Sequence, residues 1–361
     1  ANGHCAVLED ELYRFIKVLL GVENDEIEDS VIELKAKGEI VIEEREDNNW
    51  IYLDSYYKAE ENVANKLITL DKARNMKHIN DFEDELEKIE QKTDLILSDK
   101  QKEAIEAVND NNVCIITGGP GTGKTTIIKV ILELYKSKKR KTVLCAPTGR
   151  AAKRMTETTG EEAKTLHRLL EIGKIEEERT SKYNDFDVAP LDADVIIVDE
   201  MSMVDLFLMN YLVKAIYQGS KLVLVGDVDQ LPSVGPGNVL ADLINSKRIK
   251  TIVLNKIFRQ AAKSKIIINS HRVNSGETFI KPQESAEELN QDFFYIKENN
   301  QDKILNQILS LCSGRLESYG NYEFFKSIQV ITPTKKGMLG TKELNKVLQE
   351  CLNPLPEGGL E

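Results

Sequence analysis

A glycine-rich segment with a lysine and two threonines is the part of the sequence best suited to bind phosphate. It reads Gly118-Gly119-Pro120-Gly121-Thr122-Gly123-Lys124-Thr125, followed by Thr126, and matches G-x-x-x-x-G-K-[ST] in full. In such a loop, backbone N–H groups surround phosphate oxygens at the positive start of a helix. Lys124 would reach the β- and γ-phosphates, and the Thr125 hydroxyl would hold Mg²⁺. The segment predicts a nucleotide site.

The residues on both sides of this loop fit the same chemistry. Residues 113–117 are a short apolar, β-branched run, which is typical of a strand, and residues 126–134 carry Ile, Val and Leu at helical spacing. A glycine-rich turn without function is the alternative, but it would not account for a strand before the loop and a helix after it. The order strand, loop, helix therefore favours phosphate binding.

Two carboxylates end a second apolar run, Val195-Ile196-Ile197-Val198-Asp199-Glu200. An Asp at the carboxyl end of a strand beside a phosphate loop holds Mg²⁺ through water. The adjacent Glu200 is suited to orient or deprotonate an attacking water. Without other motifs, an apolar run followed by two carboxylates more often marks only the point where a strand leaves the core. In a chain that also has the phosphate loop, the functional interpretation is favoured.

Three further segments carry polar residues after apolar runs. Gln230, which follows Gly226-Asp227, would hydrogen-bond a γ-phosphate or its water, although an ordinary loop amide is the alternative. Thr148 and Arg150, after Ala146-Pro147, would bind a phosphodiester, and a charged helix start is equally compatible with the spacing. Arg259 would put a guanidinium on the γ-phosphate as an arginine finger.

The elements that must position these residues are strands alternating with helices. Apolar runs at residues 113–116, 142–146, 195–198, 221–225 and 251–254 predict the buried strands of a parallel sheet. A polar stretch at 172–190 interrupts the alternation as an insert, and residues 281–292 are expected to be a loop. A second α/β unit is expected to start near residue 251 and to include 327–332 as a strand.

Residues 1–90 have a different pattern. Helices are predicted at 9–20 and 26–37, strands at 39–44 and 50–53, and a further helix over 56–89. Two helices and a hairpin resemble a winged-helix module. The second helix is acidic and would repel DNA phosphates, so a packing role is favoured, with DNA recognition left open.

Composition excludes several classes of protein. The chain has 361 residues, 41% hydrophobic and 30% charged, with 48 Lys and Arg against 60 Asp and Glu, a net charge of −12. This charge argues against a nucleic-acid coat protein but not against one narrow DNA-binding groove. No apolar run reaches the roughly 20 residues of a membrane span. Its five cysteines contain no C-x-x-C pair, so disulfides and zinc are not expected and a reducing cytoplasm is favoured.

Taken together, these segments resemble superfamily 1 helicases and, within them, the RecD-like 5′→3′ DNA helicases. The resemblance runs from about residue 97 to 354 and implies an α/β fold of the P-loop NTPase class. It implies a RecA-like motor domain over residues 91–250 with a pin-like insert at about 172–190. It further implies a partial second RecA-like domain over 251–361, after a small N-terminal helical, winged-helix-like domain over 1–90.

The resemblance also implies roles for individual residues. The nucleotide would be held by Gln101 at the adenine and by Gly119, Pro120, Gly121, Thr122, Gly123, Lys124, Thr125 and Thr126. Catalysis would use Lys124, Glu200, Gln230 and Arg259, and the metal would be bound by Thr125 and Asp199. DNA would be contacted by Pro147, Thr148, Gly149, Arg150, Thr165, His167, Thr332, Pro333 and Thr334.

The cofactors implied are ATP and Mg²⁺, and the partners are single-stranded DNA and junctions of single- and double-stranded DNA, bound by a monomer with no membrane association. The family's motifs V and VI are not among these residues, so the chain is expected to be a fragment that binds ATP, hydrolyses it weakly and does not unwind DNA. The alternative is a non-unwinding, ATP-regulated module that binds DNA or recruits a partner. A GTPase is rejected, because Phe258 stands where a guanine-reading Asp would be.

Overall fold

The computed structural model describes residues 3–75, 77–172, 188–256, 264–281, 292–320 and 322–354. Contacts within the chain divide it into two compact units, Ala1–Phe279 and Ile280–Glu361. None of the helices formed by these described residues combines the length and apolarity needed to cross a membrane. Of the insert expected at 172–190, residues 173–187 lie outside the described residues.

The first unit begins with a small antiparallel module. Its elements are β1 (Ala6–Leu8), α1 (Glu9–Leu20), α2 (Asn24–Ala36), β2 (Ile40–Arg45) and β3 (Asn48–Leu53). The sheet order is β1-β3-β2, and the helices and sheet share a core of Ile27, Val31, Ile40 and Ile51. The two helices and the hairpin predicted from the sequence are present.

The single helix predicted over 56–89 is two helices, α3 (Asp54–Lys72) and α4 (Phe82–Thr93). The chain turns extended at Ala73, where ψ is 153°, and the Asn75 side chain donates to the carbonyl oxygen of Asn109 over 2.8 Å. These two helices pack on the large sheet, with Leu67 of α3 in one core cluster and Leu86 of α4 in the other. The expected boundary near residue 90 therefore cuts through residues that pack together.

The large sheet has six parallel strands in the order β6-β5-β7-β8-β4-β9. The strands are β4 (Val113–Gly118), β5 (Thr142–Ala146), β6 (Ala163–Thr165), β7 (Val195–Val198), β8 (Lys221–Gly226) and β9 (Lys250–Leu254). Helices cover both faces, so that Ile115 and Ile116 of β4 lie in different core clusters. This is the α/β, RecA-like arrangement that the sequence implied, with β6 as a strand it did not predict.

The remaining helices of the first unit follow these strands. They are α5 (Asp99–Asp110), α6 (Lys124–Ser137), α7 (Gly149–Thr159), α8 (Leu166–Leu169), α9 (Leu206–Ala215), α10 (Val239–Ser246) and α11 (Lys265–Asn274), with a 3₁₀ turn at Met201–Met203. The strand expected to open a second unit near residue 251 is β9, and it pairs with β4 through Ile116 and Ile252. It therefore belongs to the first sheet.

The described part of the second unit is helical. It contains α12 (Gln301–Ser310), a π-helical turn (Leu311–Arg315), α13 (Leu316–Gly320), α14 (Phe324–Ser327) and α15 (Thr341–Leu352), around a core of Cys312, Leu344 and Leu348. The strand predicted over 327–332 does not form. Residues 328–332 are neither helix nor strand, and the described residues of this unit offer no neighbouring strand with which they could pair.

Candidate functional site

The carboxyl ends of three neighbouring strands bring the predicted nucleotide-binding residues to one edge of the sheet. β8 lies between β7 and β4, with Val198 of β7 opposite Leu224 and Thr117 of β4 opposite Gly226. Parallel strands end at the same edge, so the loops that follow Val198, Gly226 and Gly118 lie side by side. In α/β sheets this edge is where ligands bind.

The phosphate loop connects β4 to the first turn of α6, which begins at Lys124. Gly121 and Gly123 have φ angles of 74° and 86°, in the left-handed region that favours glycine. At Gly118 the reason for glycine is space, because a Cβ there would lie 2.6 Å from the Leu254 carbonyl oxygen. The sequence pattern is thus required by the backbone path.

Lys124 is held at the start of the loop. Its Nζ donates to the carbonyl oxygens of Gly118 and, over 3.1 Å, of Gly119. Burial lowers the pKa of Lys124, while the nearby carboxylates of Asp227, Asp199 and Glu200 act to raise it. The ammonium group therefore lies within the field of all three carboxylates, at the point where a nucleotide's β- and γ-phosphates would add negative charge.

Asp199 and Glu200 follow β7 as the sequence predicted. The backbone N–H of Glu200 donates to Oδ1 of Asp199 over 2.9 Å, and Glu200 has a φ of 56°. A residue other than glycine in this region is strained, which is a common feature of functional sites. Burial raises the pKa of both carboxyl groups, and for Glu200 the charge of Asp199 raises it further. A raised pKa suits a general base.

Asp227 is a further candidate for this site, beyond those that the sequence predicted. It is 2% exposed, and its Oδ2 accepts a hydrogen bond from Nε2 of Gln230 over 3.3 Å, while Oδ1 accepts from the backbone N–H of Asp229 over 3.1 Å. The signal was available, because Asp227 follows β8 just as Asp199 follows β7. Gln230 is therefore held by a buried carboxylate and is not a free loop amide.

Gln101 lies near the start of α5 and is almost fully buried. Its Oε1 accepts hydrogen bonds from the backbone N–H of Ser98 over 3.0 Å and from the Ser98 hydroxyl over 3.2 Å. This capping pair fixes the start of the helix. Gln101 therefore has a structural role in the helix cap, and its contact with adenine stays a prediction.

The residues at this edge fit a magnesium ion. Carboxylate and hydroxyl oxygens are the ligands that Mg²⁺ prefers, and burial raises the pKa of Asp199, so a cation beside it would offset the cost of its charge. Among the described residues there is no cluster of three or more His, Cys, Asp or Glu side chains that could hold a metal without a ligand's help. Mg²⁺ bound here would be shared with phosphate oxygens.

Arg154 of α7 also acts on this site, although its side chain is exposed. Its charge lowers the pKa of both Asp199 and Glu200, in opposition to burial. The residue lies on the same helix as Arg150, which is predicted to touch DNA, and no pattern in the chain connects it with the carboxylates. The connection arises because α7 follows β5, which pairs with β7.

The predicted DNA-contacting residues of the first unit lie at the same sheet edge, further along. Ala146 and Thr165 are paired across β5 and β6, so Pro147 and Thr165 are close in space. Thr148 and Thr165 each cap a helix, accepting from the N–H groups of Ala151 over 3.3 Å and Arg168 over 3.2 Å. Gly149, Arg150 and His167 are exposed. The six DNA-contact candidates of the first unit thus lie at or just after the ends of two neighbouring strands, β5 and β6, at one edge of the sheet.

Comparison with known proteins identifies the family. A family model described as an AAA domain matches residues 101–236. The ATP-dependent RecD2 DNA helicase of Deinococcus radiodurans is 38% identical over 264 residues, which is 73% of this chain and 34% of that protein. This chain is a RecD-like superfamily 1 protein. The RecBCD enzyme subunit RecD of Mycobacterium tuberculosis is 35% identical over 227 residues, covering 56% of the RecD-like chain and 37% of the relative.

The same subunit from Buchnera aphidicola is 29% identical over 364 residues, covering 83% of the RecD-like chain and 59% of that protein. The RecD-like chain therefore spans 34% to 59% of the length of these three relatives. A solved structure, that of the Pif1 helicase from Candida albicans, aligns with 62% of the chain and 55% of its own at 21% identity and a TM-score of 0.40.

Four further candidates of the RecD-like chain are not among the described residues of the first unit. Arg259 is outside the described residues, so its contact with a γ-phosphate stays a prediction. Thr332, Pro333 and Thr334 belong to the second unit, in the loop before α15. The hydroxyl of Thr332 donates to the Leu339 carbonyl oxygen over 2.5 Å, and that of Thr334 donates to the Lys336 carbonyl oxygen over 3.2 Å. Their contact with DNA stays a prediction.

Proposed function

We propose that this chain carries the ATP-hydrolysing motor of a DNA helicase. The observation that carries the proposal is the grouping of Lys124, Asp199, Glu200 and Gln230 at one edge of a parallel sheet, around a complete phosphate loop. Each of these side chains has the chemistry that phosphoryl transfer to water needs. The names of the relatives, an ATP-dependent DNA helicase and subunits of RecBCD enzyme, support the same activity.

In the proposed reaction the chain's residues hold the phosphates and the attacking water. Lys124 and the loop N–H groups neutralise the charge that builds on the phosphates. Mg²⁺, held by Thr125 and Asp199, supplies further positive charge when bound. Glu200 accepts the proton of the attacking water, and Gln230, positioned by Asp227, hydrogen-bonds that water or the γ-phosphate. Arg259 is proposed as a further γ-phosphate contact.

The proposed substrate track is the surface at the ends of β5 and β6. Thr148, Arg150, Thr165 and His167 have the hydroxyl and cationic groups that contact a DNA backbone. Single-stranded DNA and its junctions with duplex are the proposed partners, with 5′→3′ movement proposed on the RecD-like resemblance. A monomer in the cytoplasm is proposed, and five free cysteines, three of them buried, fit a reducing compartment.

For this chain of 361 residues, we propose ATP binding with weak hydrolysis and without unwinding. The described residues of the second unit form no strand, so they do not supply a second RecA-like sheet. Measurable unwinding of a forked duplex by this chain would contradict the proposal. The second candidate function, an ATP-regulated module that binds DNA or a partner without unwinding, is favoured by the same observation.

The experiment is ATP hydrolysis with and without single-stranded DNA. We expect DNA to stimulate the rate, and Glu200→Gln to lower it by about 10²- to 10⁴-fold while ATP still binds, because only the base is lost. Asp229→Asn is the matched control, since this exposed carboxylate follows the same strand as Asp227 but is not among the charges that act on Lys124. A rate that neither DNA nor Glu200→Gln changes would exclude the motor and leave the binding module.

A further inference from the structure

His271 of α11 packs directly against the phosphate loop, although it is 152 positions away from Gly119 (271 minus 119). A Cβ built on Gly119 would lie 2.6 Å from Cε1 and 3.3 Å from Nε2 of the His271 ring. The imidazole therefore fills the space that a side chain at position 119 would need. Both residues belong to the first compact unit, so the contact lies within one body.

The Nε2 atom of His271 is buried, and no described residue provides it with a hydrogen-bond partner. Buried polar atoms in proteins are nearly always paired, so an exception of this kind calls for an explanation. A ring that only filled space against Gly119 would be replaceable by an apolar side chain at lower cost in free energy. The unpaired nitrogen points to a ligand that pairs with it.

The contact with Gly119 indicates which part of a bound nucleotide would lie near His271. The Gly119 carbonyl oxygen accepts from Lys124 Nζ over 3.1 Å and from the Thr122 hydroxyl over 2.8 Å. The lysine of such loops is the group that reaches the β- and γ-phosphates. His271 therefore lies against the residue at the phosphate end of the proposed site. Gln101, which is predicted to contact adenine, lies on a different helix, α5.

We propose that His271 recognises the terminal phosphate of a bound nucleoside triphosphate by donating a hydrogen bond from Nε2 to a γ-phosphate oxygen. This inference rests on the proposed nucleotide site. A neutral imidazole can carry its proton on Nε2, and a phosphate oxygen is a strong acceptor. Because Nε2 is buried, the His271 side chain must change its rotamer when the phosphate enters.

The consequence is that the chain would bind a nucleoside triphosphate and a nucleoside diphosphate with different affinities. A nucleoside diphosphate lacks the group that His271 contacts, so only the triphosphate gains this hydrogen bond. Since His271 lies on α11, the presence of the γ-phosphate is transmitted to a helix that begins at Lys265, just after the segment containing Arg259. The histidine would thus distinguish the state before hydrolysis from the state after it.

The test compares His271→Ala, His271→Gln and His271→Asn by titration calorimetry with Mg²⁺ and either ADP or adenylyl imidodiphosphate, a non-hydrolysable ATP analogue. The glutamine amide nitrogen occupies the position of Nε2, whereas the asparagine nitrogen reaches only the position of Nδ1. We expect His271→Ala and His271→Asn to weaken analogue binding about tenfold or more, with ADP binding changed by less than about twofold. His271→Gln is expected to restore most of the analogue's affinity.

Equal losses for ADP and the analogue, no loss for either, or identical behaviour of Gln and Asn would overturn the role of His271. Failure of the unsubstituted chain to bind both nucleotides would overturn the proposed nucleotide site itself, which is a distinguishable result. Thermal unfolding of each variant shows whether it is folded. If His271→Ala does not fold, the comparison between Gln and Asn, which differ by one methylene, decides the question.

Discussion

Gln230 donates from Nε2 to Oδ2 of Asp227 over 3.3 Å, and its backbone N–H donates to the Asp227 carbonyl oxygen over 3.2 Å. The glutamine is therefore tied at two points to a residue that is buried at the end of β8. The carboxylate of Asp227 also contributes to the field around Lys124. Asp227 thus connects the lysine that is proposed to bind phosphate with the amide that is proposed to sense it.

If Asp227 positions Gln230, the effects of substituting the two residues on the rate of ATP hydrolysis will not be additive. We expect Asp227→Ala and Gln230→Ala each to slow ATP hydrolysis by about tenfold or more, and the double variant to be little slower than the slower of the two, because residues that act as a unit are non-additive. The measurement is a double-mutant cycle on the hydrolysis rate. Effects that add in full would mean that the two residues act independently.

The second prediction concerns the acid limb of the pH profile, where the rate of ATP hydrolysis decreases as pH falls. Burial raises the pKa of Glu200, so a base at this position loses activity as pH falls through a value above its ordinary pKa of about 4.3. The charge of Arg154 opposes this rise, and Arg154→Gln is therefore expected to move the acid limb to still higher pH.

Lys153→Gln is the control for Arg154→Gln. Lys153 is the adjacent residue on α7, is exposed, and pairs with Glu157 over 3.9 Å. We expect its substitution to leave the acid limb in place. A shift of equal size in both variants would show a general effect of net charge, and no shift in Arg154→Gln would remove Arg154 from the electrostatics of the site.

A comparison of Gly118→Ala with Gly149→Ala tests whether lack of space for a side chain is the reason for glycine at position 118. A Cβ at Gly118 would lie 2.6 Å from the Leu254 carbonyl oxygen, whereas one at Gly149 would have no atom within 4 Å. We expect Gly118→Ala to lower the free energy of unfolding by about 1–3 kcal/mol through overpacking between β4 and β9. Gly149→Ala, at the start of α7, is expected to be neutral or stabilising by up to about 1 kcal/mol. Equal effects in denaturant titrations would contradict this prediction.

Lys221, at the start of β8, is expected to make the free energy of unfolding depend on pH. It is fully buried, and Nζ donates to the carbonyl oxygens of Val108, Asn109 and Asn111 over 2.9–3.0 Å. Burial lowers its pKa to about 8, so between pH 8 and its ordinary pKa of about 10.4 the unfolded chain binds more protons. Stability from this residue therefore rises with pH across that window.

The measurement is the free energy of unfolding of the unsubstituted chain minus that of Lys221→Met, from pH 7 to 10.5. Subtraction removes the cysteines and tyrosines that titrate in the same range. We expect the difference to rise with pH, by up to about 3 kcal/mol for a shift of about two pK units. A flat difference would mean that the three carbonyl acceptors fully offset the cost of burying the ammonium group.

Much of the sheet could be predicted because parallel strands buried on both faces are continuous apolar runs. Residues 113–116, 142–146 and 195–198 have no other simple interpretation, and each is a strand in the structure. The phosphate loop and Asp199-Glu200 could be predicted because their chemistry fixes residue types next to such strands. These local patterns carry the proposed nucleotide site.

The features that could not be predicted depend on contacts between distant residues. β6 is only three residues long, and its pairing with β5 is what makes it a strand. His271 reaches Gly119 through the packing of α11, for which no pattern in the helix gives a signal. Conversely, residues 328–332 look like a strand but end at Pro333, which has no N–H, and Ile331 is 85% exposed.

The loop at residues 118–125 is proposed to bind the phosphates of ATP, and the most direct test is the ATP affinity of Lys124→Ala against that of Lys129→Ala. Lys129 is an exposed lysine on the same helix, so its substitution controls for charge and helix propensity. We predict that Lys124→Ala weakens ATP binding by about tenfold or more, since it removes a charged contact, and that Lys129→Ala binds as the unsubstituted chain does. Equal ATP affinities for the two variants would contradict phosphate binding by this loop.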